Sequence, residues 1–159
     1  MDDVDRKILA ILQHDASVSV GEIANQVGLS QTPCWRRIQR LEESGVIQRR
    51  VALVDPVAIG LGLTVFVEIE SGDHSKEWLD RFAETVVSMP EVMEVHRMAG
   101  DVDYLLRVAS ANMAEFDLFY RKLIALLPLK NVTSRFAMEL VKGTTAYPIP
   151  PAPPKPRTR

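Results

Sequence analysis

A single cysteine, Cys34, serves all 159 residues, so no disulfide can close within the chain. A reducing compartment, the cytoplasm, is the expected setting. No apolar run approaches the ~20 residues that a membrane helix needs, so no membrane partner is expected. The start does not look like a secretory leader, because Asp2, Asp3 and Asp5 stand where a basic segment would be. His14, His74 and His96 are scattered without ligand spacing, so neither a metal site nor another cofactor is expected. A net charge of -2 excludes a globally basic nucleic-acid binder.

What the chain does have is charge placed locally. Residues 31–50 hold five arginines against two glutamates, whereas residues 1–30 hold five acids against two bases. At 47% hydrophobic and 25% charged residues, the composition is that of an ordinary globular protein of one domain or two small ones.

The stretch Thr32–Ile47, TPCWRRIQRLEESGVI, reads as a helix with two different sides. At 3.6 residues per turn Cys34, Ile38 and Leu41 share an apolar stripe, while Thr32, Arg36, Gln39 and Arg40 point away from it. Before it, Ser19-Val20-Gly21-Glu22 has the form of a capping box, and Ile23, Ala24 and Val27 give a short helix its apolar face. Gly28 suits a sharp stop, Leu29 the corner, and Ser30 the cap of the next helix. Pro33 fits the first turn, where its missing N–H breaks no helical bond. A helix over about Val4 to His14 completes a three-helix core. Two helices joined by a Gly turn, the second basic, are the signature of a helix-turn-helix. Val46-Ile47 followed by Gln48, Arg49, Arg50 and Val51 is expected to form a strand or wing beside a phosphate backbone. Trp35 falls on the flank, where packing is expected.

Asp55-Pro56, Gly60 and Gly62 mark a hinge, after which the periodicity changes. Thr64 to Glu70 alternates as a strand, and Ser75 to Ser88 has helical spacing ended by Met89-Pro90. Val92 to Met98 and Tyr104 to Ala109 read as strands around a Gly100–Asp103 turn. Asn112 and Glu115 cap a second helix that Pro128 stops, and Val132 to Val141 supplies a last strand. The expectation is therefore an α+β protein. An N-terminal winged helix-turn-helix over 1–54 and a hinge over 55–63 precede a ferredoxin-like βαββαβ domain over 64–146. A proline-rich tail over 147–159 is expected to be extended and disordered. One sheet face would lack a helical cover, and an apolar surface there, at roughly 25 cal/mol per Å², would drive dimerisation. A dimer also suits paired recognition helices on two-fold-related DNA.

This order of parts resembles the Lrp/AsnC (feast/famine) family of bacterial regulators. DRKIL at Asp5–Leu9, TPCWRRIQRLEESGVI, Asp55-Pro56, GDVDYLLRV at Gly100–Val108 and TTAYPIP at Thr144–Pro150 carry the likeness. GLGLTVFVEI, HSKEW, MPEV and RMAGDVDY look closer still to its cysteine-responsive, DecR-like branch. The likeness runs from Asp3 to Pro150, and the chain beyond departs from it. It implies a transcription factor that binds double-stranded DNA and pairs through its C-terminal (RAM) domains as a homodimer. Assembly into a ring of dimers such as an octamer is also implied. It further implies a free amino acid as effector, with cysteine the first expectation.

The expected DNA-contacting residues are Ser30, Gln31, Thr32, Arg36, Arg37, Gln39, Arg40, Arg49 and Arg50. The effector loop of the family maps onto Ala99, Gly100, Asp101, Val102, Asp103 and Tyr104, with Ser134 on the last strand. In that loop Gly100 permits positive φ, Asp101 or Asp103 can hold an ammonium group, and turn amides can hold a carboxylate. The same residues would equally make a plain hairpin turn. Catalysis is not expected. The rival readings are a tetrapyrrole-modifying enzyme of the sirohaem decarboxylase kind using His96 and Arg97, and a protein-interaction module that uses the helix pair only for packing.

Overall fold

The computed structural model describes residues 1–151, and the end of the expected tail, 152–159, lies outside the described residues. The chain forms two compact units. One is Met1–Ala52 together with residues 141–151, and the other is Leu53–Leu140.

The first unit holds α1 (Asp3–His14), α2 (Val20–Val27) and α3 (Gln31–Glu43). A capping box starts α1: the Asp5 N–H donates to Asp2 Oδ1 at 2.9 Å, and the Asp2 N–H donates to Asp5 Oδ2 at 3.0 Å. The box expected at Ser19 and Glu22 starts α2 in the same reciprocal way. Gly28, at φ 72°, ends α2 in the left-handed region, which lets the Leu29 N–H reach back to the Ala24 carbonyl at 2.9 Å. Ser30 takes the cap position of α3, but its side chain makes no capping bond. Ile8, Leu9, Ile23, Ala24, Cys34, Ile38 and Leu41 form the core, so the apolar stripe of α3 is buried as its spacing requires.

No strand forms between α3 and β1 among the described residues, so the expected wing is absent. A strand needs a neighbouring edge to satisfy its N–H and C=O groups, and no strand among the described residues pairs with this stretch. The C-terminal segment also departs from expectation. Rather than hanging free from Tyr147, it is strapped along α1, with Ile149 packed against the three-helix core. Gln13 grips the Tyr147 backbone, and Arg6 Nη1 donates to the Pro150 carbonyl. Prolines lose little backbone entropy on docking, so few contacts suffice to hold such a strap.

The second unit runs β1 (Leu63–Glu70), α4 (Lys76–Val87), β2 (Val92–Arg97), β3 (Tyr104–Ser110), α5 (Met113–Leu126) and β4 (Asn131–Phe136). The sheet order is β2-β3-β1-β4, antiparallel throughout, as the ferredoxin-like order demands. Val65, Val67 and Ile69 face the helices and are fully buried with Trp78, Phe82, Val86 and Leu123. Trp78 and Phe82 stack at 5.1 Å, and Tyr104 packs on Phe82 at 4.2 Å. The last strand stops at Phe136 rather than Val141. Phe136 pairs with Val65 and the Ala137 N–H donates to the Thr64 carbonyl, beyond which the start of β1 offers little more to pair with.

The open sheet face is not apolar. Register places Glu94, Arg107, Glu68 and Arg135 there beside half-buried Phe66 and Leu105. Arg107 pairs with Glu94 at 2.6 Å and Arg135 with Glu68 at 2.8 Å. This face therefore does not offer the bare hydrophobic surface that would drive dimerisation. Exposed apolar side chains lie elsewhere in this unit: Leu53, Val54, Val57 and Ile59 before β1, Met138 and Leu140 after β4.

Candidate nucleic-acid interface and effector turn

Burying Cys34, Ile38 and Leu41 on one side of α3 forces its other side into solvent. Thr32 and Arg36 stand exposed on that side, and Gln39 lies at its edge, half buried. Arg36 makes no ion pair or hydrogen bond among the described residues. Ser30 and Gln31 sit at the N-terminus of α3, both exposed, where helix N–H groups and an uncommitted hydroxyl suit a phosphate. Trp35, expected to pack, is 50% exposed, and with Val20, Gln31 and Thr32 it lines a cleft beside this face.

The remaining cations are partly committed. Arg37 turns towards α1, where its Nη1 donates to Asp2 Oδ2 and Asp5 Oδ1, both at 2.7 Å. Its side chain is only 27% exposed, so it ties α3 to α1 rather than facing outward. Arg40 donates through Nη2 to Asp5 at 3.0 Å yet keeps 62% of its side chain in solvent. Glu42 collects Gln39 Nε2 at 3.1 Å and Arg50 Nη2 at 2.9 Å. Arg49 is exposed and without a carboxylate partner among the described residues. The Asp2 carboxyl is held down at about 2, first by the Asp5 N–H and then by Arg37. Burial raises the Cys34 thiol.

In the second unit the turn between β2 and β3 is built around two residues. Gly100, at φ 136°, takes a conformation that a side chain would strain. Asp103 stitches the turn to the end of β1: its N–H donates to the Ile69 carbonyl at 2.9 Å, and its Oδ2 accepts from the Ser71 N–H at 2.7 Å. That backbone bond holds its carboxyl below the usual range. Tyr104 is 7% exposed within the core. Of the two expected acids, only Asp101 is exposed and unpartnered among the described residues. Ala99 is exposed, Val102 half-buried, and Ser134 lies mid-strand on β4 opposite Val67, where no hydrogen bond joins it to the turn. His96 and Arg97, adjacent on β2, point to opposite sheet faces, and His96 shares Glu94 with Arg107. They do not converge on one ligand.

Sequence models of two domain families cover most of the chain. An AsnC-type helix-turn-helix domain matches residues 1–42, and an Lrp/AsnC ligand binding domain matches residues 64–147. This chain belongs to the Lrp/AsnC family. Among curated relatives, the DNA-binding transcriptional activator DecR of Escherichia coli K12 is 51% identical over 150 residues, covering 94% of this chain and 99% of the relative. The glutamate uptake regulatory protein of Zymomonas mobilis is 49% identical, covering 94% and 92%. The crystal structure of an AsnC family transcriptional regulator from Agrobacterium tumefaciens matches with TM-score 0.90 and 56% identity, covering 93% of this chain and 97% of that one. A transcriptional regulator of Neisseria meningitidis in complex with L-Met matches with TM-score 0.89 and 32% identity, covering 93% and 96%. The protein is thus built as an Lrp/AsnC transcriptional regulator, with a DNA-binding unit and a ligand-binding unit. The tetrapyrrole-enzyme reading gains no support from these relatives. No helix among the described residues is long and apolar enough to cross a membrane.

Proposed function

We propose that this Lrp/AsnC regulator reads double-stranded DNA through the outward side of α3 and adjusts that binding to a free amino acid held at the β2–β3 turn. The supporting observation is the division of α3: its apolar side is fully buried while Arg36 projects from the other side with no carboxylate partner among the described residues. A guanidinium so placed can make a bidentate contact to a guanine edge, worth ~1–3 kcal/mol of discrimination. Thr32, Gln39 and Arg40 flank it, Ser30 and Gln31 offer a phosphate site, and Arg49 and Arg50 add backbone contacts. Arg37 supports the helix from behind. The cytoplasm is the compartment such a reader requires.

The effector reading rests on Asp101, the exposed acid of the turn, as partner of the ligand ammonium group, and on the L-Met complex of the Neisseria relative. Cysteine is the effector expected from the branch resemblance. The exposed Leu53, Val54, Val57 and Ile59, each at least 60% exposed, supply the apolar surface that a second copy would cover. That surface supports a homodimer, and a ring of dimers such as an octamer is what the family resemblance implies.

Gel shifts with a duplex enriched by the wild-type protein from a randomised pool, and with its scrambled counterpart, test the DNA reading. Arg36→Ala is expected to abolish the preference between the two, whereas Arg49→Ala weakens both alike. Unchanged binding in both variants removes the assignment. Calorimetry against each proteinogenic amino acid tests the effector, and heat with another amino acid but none with cysteine replaces the cysteine expectation.

A further inference from the structure

Asp5 is the one buried charged side chain among the described residues, at 1% exposure, and the DNA-reading face makes no direct use of it. A carboxylate removed from water needs its lone pairs filled. Oδ1 accepts from Arg37 Nη1 at 2.7 Å and from Arg40 Nη2 at 3.1 Å. Oδ2 accepts from the Asp2 N–H at 3.0 Å and from Arg40 Nη2 at 3.0 Å. The two arginines are held differently. Arg37 is mostly covered and also spans to Asp2, whereas Arg40 gives Asp5 a single nitrogen and remains 62% exposed. Arg40 Nε and Nη1 make no hydrogen bond among the described residues, so the free edge of its fork remains available while the other end is anchored.

We infer that Asp5 is a positioning residue for DNA reading, holding Arg40 by one nitrogen so that its free edge meets the duplex. An unanchored arginine must give up rotamer freedom when it contacts a base or phosphate. Anchoring one nitrogen in the free protein removes part of that loss beforehand, which is preorganisation. Capping ties Asp5 to the first turn of α1, so α1 takes part in sequence reading without touching DNA. The inference rests on the proposed DNA-reading face of α3 and adds to it a residue that acts through another.

The test is a double-mutant cycle of Asp5→Asn and Arg40→Ala, read as the affinity ratio between the wild-type-enriched duplex and its scrambled counterpart. Asn has the shape of Asp but not its charge. In the wild-type background Arg40→Ala is expected to lower the ratio by roughly tenfold. In the Asp5→Asn background the same change should lower it less than about twofold, because the anchored geometry is already gone. A role confined to stability would leave the two effects additive in that ratio, and additive effects overturn the inference. Asp5→Asn that raises affinity for both duplexes equally and steepens the salt dependence also overturns it, since Asp5 would then only mask charge. Should Asp5→Asn fail to fold, Arg40→Lys decides. It keeps the charge but cannot span carboxylate and DNA with a planar fork, so it should lose discrimination as Arg40→Ala does, and full discrimination overturns the inference. Wild-type protein with no preference between the duplexes overturns the DNA-reading function and this inference together. A wild-type preference with an additive cycle overturns this inference alone.

Discussion

The side-chain amide of Gln13 closes a two-bond ring with the backbone of Tyr147. Oε1 accepts from the Tyr147 N–H at 2.8 Å, and Nε2 donates to the Tyr147 carbonyl at 3.2 Å. A side chain on α1 thereby stands in for a neighbouring strand. Gln13→Ala should cost about 1 kcal/mol, the net worth of one to two partly hydrated hydrogen bonds. Hydrogen exchange would report it as faster exchange in α1 with α4 and α5 unchanged. Equal protection in wild type and variant would show that the strap adds nothing to α1.

Gly28 holds φ 72° with no heavy atom within 4 Å of where a Cβ would stand. Gly28→Ala therefore meets no clash and tests backbone strain alone. A loss of roughly 1–2 kcal/mol is expected, read by urea denaturation. DNA affinity should fall with it only as far as the folded fraction does.

Asp2 lends the first unit a defined acid sensitivity. Its carboxyl lies at about 2 in the folded protein against an ordinary 3.8. A depressed folded value means that folding favours the charged form, so the stabilisation is complete above about pH 3.8 and disappears as pH falls through about 2. Melting temperatures of wild type and Asp2→Asn should differ at about pH 5 and converge towards pH 2. A gap that does not narrow would show that the Asp2 carboxylate, with its bonds from the Asp5 N–H and Arg37, contributes no charge-dependent stability.

Cys34 is 0% exposed and its thiol is raised by burial. Alkylation followed by mass spectrometry should therefore track unfolding across a denaturant series, with negligible labelling of native protein. Rapid labelling under native conditions would point to a sensing role that its burial does not suggest.

Asp101 and Asp103 should separate ligand binding from folding. Asp101→Asn is expected to remove effector heat in calorimetry with little change in melting temperature. Asp103→Asn weakens the stitch to Ser71 and should lower the melting temperature measurably, because the bond loses its charge assistance. The reverse pattern would move the ligand contact to Asp103.

Periodicity made the elements legible because burial imposes it. Cys34, Ile38 and Leu41 at helical spacing, and Val65, Val67 and Ile69 at strand spacing, had to lie inward once a core existed. The capping box at Ser19 and Glu22 was equally plain, since its chemistry is local. What sequence reading missed depends on partners distant in the chain. Arg37 reads as one more cation of α3 until Asp2 and Asp5 fold beside it. Asp5 reads as part of an acidic start, with no local sign that it lies buried under two arginines. Asp103 and Asp101 look alike in sequence, and only the bond from the Ser71 N–H just past β1 distinguishes them. The wing did not form because Val46, Ile47 and Val51 state a strand propensity but name no partner edge. The free tail was expected for the converse reason: proline-rich composition signals poor self-burial, yet α1 supplies the groups that bind it.

The return of the chain to α1 carries a practical consequence. Severing the polypeptide at Ala52 would strip the reading head of Ile149 and of the backbone that Gln13 grips, because both would leave with the other fragment. The sensing half is thus an insertion tethered at both ends, and any separation of the two activities calls for a linker that bridges Ala52 to Val141 rather than a single cut.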